Sequence, residues 1–258
     1  MKRIDKQREP KPLKRYRKQH PKASWDALRT AHPAVYPAIK KQLLTDQGGL
    51  CAYCEIDLKI RKKPREIDDF RVEHFHPKSD TSGNWSLDWS NMLGVCHGGS
   101  QRHVTASGER FSENKRDHSC DVPKGSQHWE QVILNPLQLP HAPSLFRFDR
   151  AMGSVRVDEH ACAVAGIEVA RVQATIDLLN LDCSRLQRMR QRVLDHLNEQ
   201  LIVLVEQGHT LQQARDRLAR AYLTKNHKDF WPVAFFSAIR HYLGQSAERA
   251  LRNQPPPL

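Results

Sequence analysis

Residues 70–79 have the sequence FRVEHFHPKS, a short alternating stretch that ends at a proline, lysine and serine. The two alternating sets are Phe70, Val72 and His74 on one side and Arg71, Glu73 and Phe75 on the other. A period of two predicts a β-strand from Phe70 to Phe75. His76 lies one strand period after His74, so we expect both imidazoles on the same side of that strand.

Cysteines flank this strand in a pattern that favours a metal site. The chain has six cysteines, and Cys51 and Cys54 form a CxxC that follows a Gly-Gly turn. A redox CxxC would instead open a helix inside a βαβ pattern. Because tetrahedral zinc needs four ligands, we predict that Cys96 and Cys120 complete a four-cysteine zinc site with that pair.

The second cysteine pair is unusual because 23 residues, 97–119, separate its two members. Each doubling of a loop costs only about 0.6 kcal/mol in closure entropy, while structural zinc contributes on the order of 10 kcal/mol. The competing zinc ligands in this loop are His97, His103 and His118. Cys162 and Cys183 lie in helical patterns and are predicted to be small core residues.

Composition excludes a membrane-spanning protein at the sequence level. The chain has 258 residues, 39% of them hydrophobic, and a mean hydropathy of -0.68. Its longest aliphatic run, 201–205, is far shorter than a span. Charge and proline follow Met1 directly, so we expect no secretory leader and a cytoplasmic location.

Positive charge is concentrated at one end of the sequence. The net charge is +12, and residues 1–22 hold ten Lys or Arg against Asp5 and Glu9, a local charge of +8. Such a segment attracts phosphate backbones, although it can also be a solvated tail that aids solubility. We expect it to be mostly disordered or loosely docked. A second basic cluster consists of Lys59, Arg61, Lys62, Lys63 and Arg65.

The remaining patterns predict an α+β chain that is mostly helical. Apolar residues around Met152-Gly153 indicate a hairpin, and Thr210 with Gln213 forms a capping-box start inside a helical C-terminal part. We predict four segments. They are a basic flexible tail (1–22), N-terminal helices (23–46), a metal-binding core (47–157) and a C-terminal helical region (158–258) that could dock a partner.

Four blocks of the sequence together resemble the HNH endonuclease family. They are LCAYCE (50–55), VEHFHPKS (72–79), WSNMLGVC (89–96) and CDVPK (120–124). The likeness is closest to the PtuB family, the HNH subunits of Septu-type antiphage defence, which also occur with some retrons. It covers most of the chain and implies a ββα-metal core.

The resemblance also implies a role for individual residues. Glu73 corresponds to the first ligand of the catalytic metal, His74 to the general base and Asp121 to the third-position metal ligand. Asn91 corresponds to the residue that pins the loop and so orients the base. His97 would replace Asp121 if the zinc pair were assigned differently.

Phosphodiester hydrolysis accounts for these residue types. A histidine with a pKa of about 6.5 can take a proton from water at neutral pH. Two carboxylates favour Mg²⁺ or Mn²⁺ as the catalytic metal, in addition to the structural Zn²⁺. His76, Lys78 and Lys124 are candidates for metal or phosphate contacts.

The resemblance further implies DNA as substrate, a PtuA-like ATPase as partner and, in retron systems, a reverse transcriptase with its msDNA. This chain has no Walker A pattern, so ATP hydrolysis would belong to another chain. Two other functions remain open. The same site could cut RNA such as tRNA, or the chain could be a non-catalytic zinc module that binds nucleic acid.

Overall fold

The computed structural model describes residues 1–58, 69–102, 109–226 and 230–253. The second basic cluster, from Lys59 to Arg65, and the competing ligand His103 lie outside the described residues. None of the helices in these ranges combines the length and the apolar character needed to cross a bilayer.

Three helices open the chain: α1 (Lys11–Gln19), α2 (Trp25–Ala31) and α3 (Val35–Asp46). The Ser24 side chain caps α2 by accepting a hydrogen bond from the Ala27 amide. α3 buries Ile39 and Leu43 and ends before the Gly48-Gly49 turn, as its apolar spacing predicts.

The first 22 residues differ from the disordered tail that their charge indicates. Met1 and Ile4 are buried, and Leu13 and Tyr16 form one buried face of α1. These two residues are three apart, so they lie on one side of a helix and can pack in the core with Trp25. The apolar spacing of α1 therefore predicts its packing better than its charge does, and the basic side chains of α1 lie on its exposed face.

Two strands carry the stretch with which the sequence analysis began. β1 (Arg71–His74) pairs antiparallel with β2 (Met92–Val95), and Glu73 lies opposite Leu93. The four-residue helix α4 (Asp121–Lys124) starts directly after Cys120. Two short 3-10 helices, Trp89–Asn91 and Lys115–Asp117, precede β2 and α4 respectively.

A predicted hairpin and six helices complete the described chain. β3 (Phe146–Phe148) and β4 (Val155–Val157) pair antiparallel around Met152-Gly153, which confirms the hairpin. The helices are α5 (Glu159–Ala165), α6 (Val169–Leu178), α7 (Ser184–Glu206), α8 (Leu211–Tyr222), α9 (Phe236–Leu243) and α10 (Gln245–Arg252). The Thr210–Gln213 capping box is present at the start of α8.

Among the described residues the core has three apolar clusters, and they position the metal-binding part. One joins the cysteines to the hairpin and to α6 and α7, one joins α7 to α8, α9 and α10, and one packs α1, α2 and α3 on the sheet. The mixed α and small β class is thus confirmed. The four segment boundaries stay predictions.

Candidate metal centre and active site

Four buried cysteines converge, as the spacing predicts. Their sulfur atoms all lie within 4.8 Å of one another. The Sγ–Sγ distances are 3.8 Å for Cys51–Cys120, 3.7 Å for Cys54–Cys96 and 3.6 Å for Cys96–Cys120. Four thiolates at about 2.3 Å from a tetrahedral zinc would be about 3.8 Å apart. The group therefore fits a metal such as zinc.

Local backbone geometry aims these thiols inward. Glu55 has a φ of 65°, and its amide donates to the Cys51 carbonyl at 3.1 Å, which closes the CxxC turn. The Cys96 amide donates to Cys51 Sγ at 3.4 Å, and the Gly98 amide donates to Cys96 Sγ at 3.3 Å. Amide donors of this kind stabilise negative charge on sulfur.

Arg185 of α7 is a buried neighbour of this cluster that the sequence analysis missed. Its side chain is 1% exposed, and Nη2 donates to Ser119 Oγ at 2.7 Å. Burial lowers its pKa, but the negative charge of the nearby Cys96 and Cys54 thiolates outweighs burial and holds the pKa above its ordinary value. A single arginine in an amphipathic helix gives no sequence signal for such a place.

Glu73 and Asp121 come together on the other side of this region, although the chain separates them widely. Glu73 leaves β1 toward α4, where Lys124 Nζ lies 2.9 Å from its Oε1. Arg71 donates to both carboxylate oxygens of Asp121, at 2.7 and 2.9 Å. Burial first, and then the charge of Asp121, raises the pKa of Glu73 to about 7. A cation between these carboxylates would offset both the burial of their charge and their mutual repulsion.

Tyr53 also faces this pair. Its hydroxyl is buried, and no described residue gives it a hydrogen-bond partner. Burial, followed by the charges of Glu73 and Asp121, raises its pKa well above the ordinary value. No sequence pattern indicated that this tyrosine lies beside the carboxylates.

The His74 ring lies on the opposite side of β1 from Glu73, as strand alternation requires. Nε2 lies 3.0 Å from the Ser86 carbonyl, and the ring meets Trp25 edge to face at 4.8 Å. The residue is 6% exposed, and burial lowers its pKa to about 4. In this conformation the imidazole is neutral at pH 7 but does not face the two carboxylates.

Comparisons with known proteins agree with this arrangement of residues. The chain is 37% identical over 218 residues to a protein named as the HNH endonuclease of retron Ec83 from Escherichia coli, covering 77% of this chain and 81% of that relative. It is 25% identical over 172 residues to the one named for retron Vc95 of Vibrio cholerae serotype O1 biovar El Tor, covering 63% and 66%. No family model matches.

The chain belongs to the HNH endonuclease family. Its class is therefore a nuclease enzyme, as the sequence analysis predicted.

In this HNH endonuclease, Asn91 ties the segment after β1 to the start of β2. Its Oδ1 accepts from the His76 amide at 2.7 Å, and its Nδ2 donates to the His76 and Trp85 carbonyls, both at 2.9 Å. These bonds hold the loop that carries Ser86, the partner of His74. That this orients a catalytic base stays a prediction.

The other candidates of the endonuclease fall in different surroundings. Lys124 is buried, and its Nζ also donates to the His74 carbonyl at 3.2 Å, so its contact with phosphate stays a prediction. Lys78 is about half exposed, 3.9 Å from Asp26. His97 and His118 are not part of the four-cysteine group. His76 lies beside Asp80 and not beside Glu73.

Proposed function

We propose that this HNH endonuclease hydrolyses phosphodiester bonds of DNA at a ββα-metal centre formed by β1, β2 and α4. The observation that carries the proposal is the pairing of Glu73 from β1 with Asp121 from α4, next to the metal-binding cysteines. Each carboxylate already has a cation as neighbour, Lys124 or Arg71. Burial raises the pKa of both carboxyl groups, because little water is present to stabilise their negative charge. A divalent ion bound between them would supply that stabilisation.

Glu73 and Asp121 are the residues that would hold Mg²⁺ or Mn²⁺, because carboxylate oxygens suit hard cations. Such an ion stabilises charge on the scissile phosphate and on the leaving oxygen. Lys124 and Arg71 would then contribute a fixed positive charge at the same place. In this proposal Zn²⁺ in the cysteine site has the separate task of joining β2 to α4.

His74 is the proposed general base. Donation from Nε2 to the Ser86 carbonyl fixes the neutral tautomer, which leaves the lone pair on Nδ1 to accept a proton from water. Because the ring packs against Trp25 and donates to Ser86, the proposal requires it to release the Ser86 carbonyl and turn toward the carboxylates when substrate binds. Hydrogen bonds of catalytic groups are often incomplete before substrate binds.

Partners and context belong to the same proposal. The relatives are named from retrons, so we propose a retron reverse transcriptase with its msDNA and a PtuA-like ATPase as partners in an antiphage system. The C-terminal helical region offers the surface for docking them. The outer face of α1, with Lys14, Arg15 and Lys18 exposed, supports DNA contact.

The test is a cleavage assay with the purified full chain, alone and with a PtuA-like ATPase. Plasmid DNA and total tRNA are offered with Mg²⁺ or Mn²⁺. We expect DNA cleavage that disappears in His74→Ala and in Glu73→Gln. His196→Ala is the matched control, because His196 is an exposed histidine of α7 that touches no proposed site residue.

Three outcomes separate the competing functions. DNA cleavage that His74→Ala retains at the wild-type rate removes His74 as the base. Cleavage of tRNA alone assigns an RNase that uses the same residues. Binding of nucleic acid without any cleavage, with the partner present, leaves a zinc module without catalysis.

A further inference from the structure

A second cluster of metal-binding side chains lies just beyond β1 and α4. One ligand atom from each of His76, Asp80 and His128 falls within 4.8 Å of the others. His76 Nε2 lies 2.8 Å from Asp80 Oδ2, and the His76 and His128 rings meet edge to face at 5.2 Å. The cluster contains none of the residues to which we assign the nuclease centre or the cysteine site.

The cluster is held in place by contacts outside it. Asn91 fixes the His76 backbone through both its amide and its carbonyl. The Trp85 ring packs on the His76 ring at 4.2 Å and donates to Ser82 Oγ at 3.1 Å. The Ser82 amide donates to Asp80 Oδ1 at 2.7 Å, which leaves Oδ2 directed at His76. An ion would therefore meet side chains that are already oriented.

The second ring nitrogen of His76, Nδ1, contacts a different carboxylate, that of Glu130. Glu130 Oε1 lies 2.6 Å from Nδ1 and 3.7 Å from Nδ1 of His128. Histidines that bind metals commonly present one nitrogen to the ion and the other to a carboxylate, which fixes the tautomer and strengthens the ligand.

We propose that His76, Asp80 and His128 bind one divalent transition-metal ion, with Glu130 as the positioning residue behind His76. Two imidazoles and one carboxylate favour ions such as Mn²⁺, Co²⁺ or Zn²⁺ over Mg²⁺. The ion would join the segment after β1 to the segment after α4. His76 follows Glu73 by three residues, and His128 follows Asp121 by seven. The ion would therefore lie at the edge of the proposed nuclease centre.

The test uses Co²⁺ as the probe with the full chain in the Glu73→Gln background. That background removes the proposed Mg²⁺ or Mn²⁺ centre, so the result does not depend on the proposed function. The cysteine site is loaded with Zn²⁺ beforehand, and metal analysis follows its content. Co²⁺ that entered the cysteine site would reveal itself by thiolate charge-transfer absorption.

We expect one equivalent of Co²⁺ to bind with visible d–d absorption and no thiolate band. Asp80→Asn and His128→Gln should each weaken that binding at least about 10-fold, and Glu130→Gln by about 10- to 100-fold. His128 has a side chain that is 58% exposed, so its replacement leaves the fold intact. His196→Gln, another exposed histidine near a carboxylate, should bind Co²⁺ like the parent protein.

Two results overturn the proposal. One is the absence of a Co²⁺ equivalent beyond the zinc content, which reduces the cluster to a surface ion-pair group. The other is Co²⁺ binding that survives both Asp80→Asn and His128→Gln unchanged, which places the ion elsewhere. Loss of binding in Glu130→Gln with an unchanged unfolding transition supports positioning rather than a structural effect.

Discussion

Gly98 and Gly166 share a backbone conformation but have different surroundings. Their φ angles are 60° and 64°, yet an added Cβ on Gly98 would lie 2.1 Å from the Ser119 carbonyl oxygen, and one on Gly166 would meet nothing within 4 Å. We expect Gly98→Ala to lower the free energy of unfolding by at least about 2 kcal/mol more than Gly166→Ala, which carries only the positive-φ cost of about 1 to 2 kcal/mol.

The measurement for this pair is urea unfolding of the metal-loaded protein. Because the Gly98 amide also donates to Cys96 Sγ, Gly98→Ala should release metal at a lower urea concentration than Gly166→Ala. Equal unfolding midpoints for the two variants would show that the backbone at Ser119 moves to accommodate an alanine side chain at position 98 at little cost in free energy.

His74 should make stability depend on pH. Burial lowers its pKa to about 4 in the folded chain, whereas the unfolded chain has the ordinary value of about 6.5. Below pH 6.5 the unfolded state therefore binds a proton that the folded state does not. The contribution is full above pH 6.5 and is lost as pH falls to about 4, by about 3 kcal/mol in total.

This pH effect is measured by denaturant unfolding between pH 7 and pH 4, with Zn²⁺ retained and Mg²⁺ omitted. The drop in stability should be smaller in His74→Gln than in wild type, and unchanged in His196→Gln. Parallel curves for wild type and His74→Gln would mean that the His74 ring is not buried in solution.

At the scale of residues, the residue types at the site were easier to predict from the sequence than the surroundings of each side chain. The four-cysteine group could be predicted because tetrahedral zinc needs four ligands and the CxxC supplies only two of them. The strand period gave Glu73 and His74 opposite sides, and it did not reveal that the His74 side is closed by Trp25. Tyr53 and Arg185 could not be foreseen, since contacts across distant segments leave no local pattern.

At the scale of elements, α1 gives a sharper test of DNA contact than removal of residues 1–22. Deletion would also remove Leu13 and Tyr16 from the core. Neutralising Lys14, Arg15 and Lys18 to glutamine changes only the exposed face. Each lost contact with duplex phosphate should reduce the slope of log K against log salt by about 0.9, up to about 2.7 for three.

The control for α1 is a matched triple on α8, in which the exposed Arg215, Arg217 and Arg220 become glutamine. Binding to duplex DNA is measured across salt concentrations for both variants. An unchanged slope in the α1 variant, or an equal loss in the α8 variant, would show that α1 has no particular contact with DNA.

The same helix shows why elements differ in how well a sequence predicts them. α3 and α8 carry their signals locally, in apolar spacing and in the Thr210 cap, and both were predicted. α1 carries two apolar residues among many charges, so its helix depends on packing in the cluster with Trp25 and Leu28. Tertiary packing commonly stabilises helices whose own sequence is weak.

At the scale of the whole molecule, the cysteine site connects parts of the chain that lie far apart in the sequence. Its ligands come from the CxxC turn, the end of β2 and the residue before α4. The same four cysteines belong to the apolar cluster that contains the hairpin and the first turns of α7. A metal in this site would therefore link the proposed nuclease residues of β1 and α4 to the C-terminal helices.

Metal removal should consequently unfold more than a local turn. We expect Cys54→Ser to lose the bound metal and most of the cooperative unfolding transition, because a structural zinc site can contribute on the order of 10 kcal/mol to folding. Cys183→Ser is the matched control. Cys183 is equally buried, but its Sγ hydrogen-bonds the Asp117 carbonyl, which a serine hydroxyl can replace.

Metal analysis and thermal unfolding of the two variants decide the matter. Cys183→Ser should retain one zinc and a cooperative transition close to that of the wild type. Treatment of the wild type or of Cys183→Ser with a strong chelator should reproduce the Cys54→Ser behaviour. A metal-free Cys54→Ser protein that unfolds cooperatively at the wild-type temperature would contradict the proposed role. In that case the apolar cluster around the hairpin and α7 would hold the molecule together without the metal.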